Sequence, residues 1–157
     1  MDRDLFYVEL PGFDTHNDAH ETVDTLFGYL NDALEALVKE LKASELFDKV
    51  TLVTSSDFGR TLTSNGKGTD HGWAGQQLVL GGQVKGARVL NAYPESLLEG
   101  NNQDVGRGRM IPKYPWENML VPVAEWMGVD PLDLATVFPN LQNFNSSHIL
   151  PTSTLFE

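Results

Sequence analysis

The stretch KVTLVTSSDFGRTLTSNGKGTDHG, Lys49–Gly72, holds the decision about the fold. Its opening run, Val50 to Thr54, is rich in β-branched residues and predicts a strand. The residues after that run gather Asp57, Arg60, Lys67, Asp70 and His71 among glycines, too polar for a core and too rich in glycine for a helix. Two pieces are expected there: SSDFGR as a strand-end turn presenting Asp57 and Arg60, and NGKGTDHG as a flexible return carrying His71.

On the N-terminal side, LFYVEL (Leu5–Leu10) is a short apolar, β-prone run closed by Pro11 and Gly12. From Thr22 to Ala43 apolar residues recur at Val23, Leu26, Phe27, Leu30, Leu34, Leu37, Val38 and Leu41, the three-and-four spacing of an amphipathic helix. Strand, long helix and strand then make a βαβ-like unit with parallel pairing. QQLVLGG, around Leu78–Leu80, is a third strand candidate and ARVLNA a short fourth. PWENMLVPVAEWMG and PLDLATVF predict two further helices, with Pro115 in a first turn, Pro122 at a bend and Gly128 at an end. The predicted fold class is α/β, a mainly parallel sheet flanked by helices. In such sheets ligands collect beyond the carboxyl ends of the strands. GFDTHNDAH after the first strand and SSDFGR after the second are therefore expected to open onto one edge.

Composition narrows the function classes. The 157 residues fit one domain of common size, and a 41% apolar content can fill a core. Eleven Lys plus Arg against 22 Asp plus Glu give a net charge of -11, so the average field repels polyanions. Nucleic acid is not expected as a partner, nor is membrane insertion, since no apolar run is long enough to span a bilayer. MDRDLFYVEL lacks the basic and apolar regions of a signal peptide. With no cysteine, disulfides, zinc-thiolate sites and cysteine nucleophiles are excluded.

Any metal must therefore be held by His, Asp, Glu, amide or water. Asp14, His16, Asp18 and His20 lie within seven residues, and Asp57, Asp70 and His71 form a second group. Carboxylates with imidazoles suit zinc or manganese, and magnesium or calcium where oxygen ligands dominate. Each residue alone also has a plain structural account, the aspartates as helix caps or turn formers and the histidines as exposed loop residues. Arg60 is the best candidate for binding an oxyanion, because its planar fork matches phosphate, sulfate or carboxylate; a surface ion pair is its alternative.

GFDTH, TSSDFGRT, the NGKGTDHG return, VLGGQVKGARV and VFPNL, in this order and spacing, resemble the sulfatase-like family labelled domain of unknown function 1501, placed in the alkaline phosphatase superfamily. The resemblance runs from about Leu5 to Phe144. It implies an alkaline-phosphatase-like α/β fold over residues 1–145, followed by a polar tail over 146–157. It also implies one or two divalent metals, Asp14 and His16 as a first ligand pair, His20 as a rival ligand, and His71 as the distant one. Asp57 occupies a second-metal position, but Phe58 stands where a histidine is usual, which implies a reduced second site. Asp70 completes the candidate ligands. The superfamily's nucleophile lies on an N-terminal half preceding the matched portion, so the chain resembles a C-terminal half, a partial domain with an open sheet edge for a partner or self-association. Family members are often exported.

The expected function is that of a metal-dependent hydrolase of phosphate or sulfate esters, or a fragment of one. Its substrate would be a small anionic ester, with Arg60 or Lys67 assisting catalytically. The alternative is a non-catalytic binding or assembly module. The segment around Asn101, Asn102, Arg107 and Arg109 is long for a connection and is a candidate lid or partner-facing loop.

Overall fold

The periodic run after Asp18 folds as expected, into helix α1, Ala19–Ala43, in a computed structural model that describes residues 3–157. Leu26 is buried, and Val23, Leu30, Leu34, Leu37, Val38 and Leu41 are half-buried along one stripe. The opposite face is polar, with Glu35 and Lys39 paired one turn apart. Asp18 starts the helix in the left-handed region, φ 47°, without a side-chain cap.

The strands depart from expectation. β1 is Thr51–Val53 and pairs antiparallel with β4, Val79–Gly81, in the register Thr51 to Gly81, Leu52 to Leu80 and Val53 to Val79. Between them the chain leaves and returns as a hairpin, β2 (Gly59–Ser64) against β3 (Thr69–Gly72). Among the described residues the sheets are these two antiparallel pairs, with no parallel pairing. The α/β reading, a mainly parallel, alkaline-phosphatase-like sheet flanked by helices, is thereby overturned. The physical reason lies in partners. LFYVEL has strand propensity but no neighbouring strand to take its backbone hydrogen bonds, and it runs as irregular chain with Leu5, Phe6, Tyr7 and Val8 exposed. β1, left without it, pairs with the strand that the hairpin sends back. The ARVLNA run forms no strand either.

The chain divides into two compact units. One comprises Phe6–Gly82 and Leu90–Ile111 and contains α1 and all four strands. Met110 and Leu26 are buried there, as are Thr15 and Thr61.

The other gathers Gln83–Val89 and Pro112–Glu157 with residues 3–5. It contains α2 (Glu117–Trp126), α3 (Leu134–Val137) and α4 (Thr152–Leu155). Pro122 lies inside α2, where its ring nitrogen cannot donate to the Asn118 carbonyl. That carbonyl accepts from the Leu150 amide instead, at 3.1 Å, and the Asn118 side chain donates to the His148 carbonyl at 2.5 Å. The helix interruption thus docks the C-terminal segment. Residues 146–157, expected as a polar tail, carry Leu155 and Phe156, which are 3% and 2% exposed. Phe156 stacks on Trp126 at 5.3 Å between ring centres.

Candidate metal centre

The centre is built where the loop before α1 lies against the β2–β3 hairpin. Asn65 makes the hairpin turn: its Oδ1 accepts from the amides of Lys67 and Gly68, at 3.0 and 2.8 Å. Its Nδ2 reaches the His16 carbonyl at 3.1 Å. The Thr69 amide donates to the Thr15 carbonyl at 3.2 Å, adding the loop to the edge of β3. Gly68 permits this approach, because a Cβ there would stand 2.4 Å from the Thr15 carbonyl oxygen.

Arg60 and His71 are cross-strand partners in the hairpin, which sends both side chains towards Asp14. Arg60 Nη1 donates to Asp14 Oδ1 at 2.6 Å; its Nε donates to Thr69 Oγ1 at 2.9 Å and its Nη2 to the Thr69 carbonyl. His16 Nε2 and His71 Nε2 each lie 2.9 Å from that same Asp14 oxygen and 3.2 Å from one another. Phe58 lies flat on the His71 ring, 3.9 Å between centres at 11°, and fixes its plane. The Asp14 carboxyl is held below the ordinary aspartate value, first by the hydrogen bond from Arg60 and then by that from His71. Asp14, His16 and His71 are about half exposed, with side-chain values of 52%, 44% and 51%.

These three donor atoms form a triangle that fits a divalent metal. Tetrahedral zinc with metal–ligand distances of about 2.0–2.1 Å has ligand–ligand edges of about 3.3–3.4 Å, and an octahedral ion about 2.9–3.0 Å. The observed 2.9, 2.9 and 3.2 Å lie at those edges. Two imidazoles with one carboxylate suit zinc, manganese or ferrous iron, and match calcium poorly, which takes about six to eight oxygens.

The remaining candidates stand elsewhere. Asp70 contacts the other ring nitrogen of His16, Nδ1 to Oδ1 at 3.3 Å, rather than joining the triangle. His20 points from the first turn of α1 and Asp57 from the bend before β2, both exposed and outside the group of three. Arg60 is 21% exposed with its nitrogens committed to Asp14 and Thr69, so it braces the Asp14 carboxylate. Sequence reasoning passed over Asn65, although an Asn-Gly pair marks a turn. It also passed over the ion pair of Arg107 Nη2 with Asp70 Oδ2, 2.8 Å.

A family model described as protein of unknown function (DUF1501) matches residues 2–125. The chain belongs to this family. No curated protein and no solved structure matches it. The DUF1501 match takes in every residue of the centre and ends inside α2, before VFPNL. In this DUF1501 chain no helix among the described residues is long and apolar enough to cross a membrane.

Proposed function

We propose that the Asp14–His16–His71 centre holds a divalent transition metal, zinc foremost, and that it serves the hydrolysis of phosphate or sulfate esters. The observation that supports this is the convergence of three ligand atoms, no two more than 3.2 Å apart, from two segments distant in sequence. Asp14 supplies the anionic ligand, kept ionised by Arg60. His16 and His71 supply neutral nitrogen, and Phe58 keeps the His71 ring in plane. A catalytic site of this type uses three protein ligands and leaves a position open, and the half-exposed triangle suits that arrangement. The chemistry such an ion supplies is Lewis-acid polarisation of the ester oxygens and activation of water.

Elemental analysis of protein loaded with zinc or manganese, followed by assays on aryl phosphate and aryl sulfate, tests both halves. One equivalent of metal, with turnover that disappears in His71→Ala, is expected. Wild-type protein that retains no metal after gel filtration overturns the reading.

A second reading, a metal-binding or assembly module without catalysis, is favoured by the hydroxyls nearby. Thr61 is 3% exposed and donates to the Thr63 carbonyl, and Ser56 donates to the Phe58 carbonyl, so neither is free to attack. The uncovered Phe6–Val8 run is then a surface for self-association or a partner. Metal uptake without turnover, together with a mass that rises with concentration in sedimentation velocity, supports this second reading.

A further inference from the structure

The two ring nitrogens of His16 face different carboxylates. Nε2 lies in the donor triangle with Asp14 and His71, whereas Nδ1 faces Asp70 Oδ1 at 3.3 Å. An imidazole that gives its Nε2 lone pair to a metal carries its proton on Nδ1, and that N–H needs an acceptor. Asp70 is placed to be that acceptor and is itself tethered. Asn65 Nδ2 donates to its Oδ1 at 3.1 Å, Arg107 pairs with its Oδ2 at 2.8 Å, and its backbone amide donates to Thr61 Oγ1 at 3.0 Å.

The Arg107 end of this chain of contacts is built under strain. Gly106, Arg107 and Gly108 have φ of 102°, 62° and 68°. A non-glycine residue in that region is strained and persists only where its surroundings impose it. Here they do. Asp104 Oδ1 accepts from the Gly106 amide at 2.8 Å, and the Gly108 carbonyl accepts from the Leu62 amide of β2 at 3.0 Å. A Cβ at Gly108 would stand 2.7 Å from that of Leu62, so only glycine lets the turn sit so close to the strand. The turn delivers a guanidinium whose one partner among the described residues is Asp70.

We infer that Asp70 is a positioning residue that fixes the tautomer and aim of His16, and that Arg107 clamps Asp70 in that position. The metal affinity of the centre thereby depends on the docking of the Gly106–Gly108 turn. The inference rests on the proposed metal site, since without an ion Nε2 faces Asp14 Oδ1 at 2.9 Å and either ring nitrogen has a carboxylate to take its proton.

The test uses the nitrogen-15-labelled full chain loaded with zinc. Long-range proton–nitrogen spectra read the His16 Nδ1 proton and its exchange with water, chelator competition reads zinc affinity, and cobalt(II) absorption reads the ligand set. Wild type is expected to hold the His16 Nδ1 proton protected from exchange. Asp70→Ala loses that protection and about 10–100-fold in zinc affinity, with the cobalt bands keeping their character, because an outer partner and not a ligand has gone. Asp70→Asn, which keeps a neutral acceptor, is expected to recover part of both, and Arg107→Ala to shift both in the direction of Asp70→Ala. Unchanged Nδ1 exchange in Asp70→Ala overturns the inference, as do cobalt bands altered as they are by a lost ligand. If wild type takes up neither ion, the metal reading fails and this inference falls with it. If Asp70→Ala does not fold, Arg107→Ala against Arg107→Lys decides it, the lysine being expected to keep part of the wild-type protection.

Discussion

Arg60 commits its three side-chain nitrogens to Asp14 and Thr69, so its fork works as a bracket between loop and hairpin. A lysine has one charged nitrogen and cannot span both partners. Arg60→Lys is therefore expected to weaken metal binding, measured by chelator competition, and to bring the Asp14 pKa up toward its ordinary 3.8, measured by carboxyl carbon shifts against pH. His71 and His148 make a sharper pair. His71 offers Nε2 to the triangle, whereas His148 meets Tyr114 edge-on in the other unit, 6.0 Å between ring centres. His71→Ala should cost more than the about 10–100-fold typical of outer partners, and His148→Ala should leave metal affinity unchanged. Equal losses in the two variants would refute the ligand assignment. At this scale much was legible: Asp14, His16 and His71 are residue types whose chemistry is known before their positions are. The contacts of Asp70 and Arg60 were not, because which neighbour a carboxylate or a guanidinium meets depends on side-chain direction, which spacing does not carry.

The hairpin is the element on which the centre depends, and its two turn glycines differ. Gly68 is pressed against the backbone of Thr15 and His16, whereas Gly66 faces open space at φ 100°. Gly68→Ala is expected to displace the loop and abolish metal binding. Gly66→Ala is expected to cost about 1–3 kcal/mol in urea unfolding while metal affinity is kept. The Asp104 turn gives a pH signature. Its carboxyl is held below the ordinary 3.8, first by the Gly100 amide and then by that of Gly106. A group with a depressed folded pKa stabilises above its unfolded value and ceases to as pH falls through the folded one. Amide exchange at Gly100 and Gly106 should therefore speed up as pH drops below 3.8, relative to amides with no carboxylate partner, and Asp104→Asn should remove that step. Helix α1 was legible because its periodicity is local. The positions of β1 and β4 were legible too, from Val, Leu and Thr content, but their pairing was not. A strand's partner is a long-range choice, and LFYVEL resembles a partner without being one. The expected meeting of GFDTH and TDHG occurs, but by the loop docking on an antiparallel hairpin instead of both loops emerging from one edge of a parallel sheet.

For the molecule as a whole, the C-terminal residues Leu155 and Phe156 are among the buried side chains of the second unit, and Phe156 stacks on the half-buried Trp126 of α2. Polar composition hid this, since Asn145, Ser146, Ser147, Thr152 and Ser153 surround the few apolar residues that anchor the segment. In the first unit the donor triangle has a different kind of consequence. His16 and His71 are 55 positions apart, and Asp14 and His71 are 57, with the whole of α1 between them. Closing a loop of that length costs about 3–4 kcal/mol of chain entropy. An ion gripping both ends is thus a removable cross-link, a staple that the unfolded chain does not carry and a chelator can withdraw. Calorimetric scans should show the unfolding midpoint climbing with free zinc and falling back on chelation, with no such movement in His71→Ala.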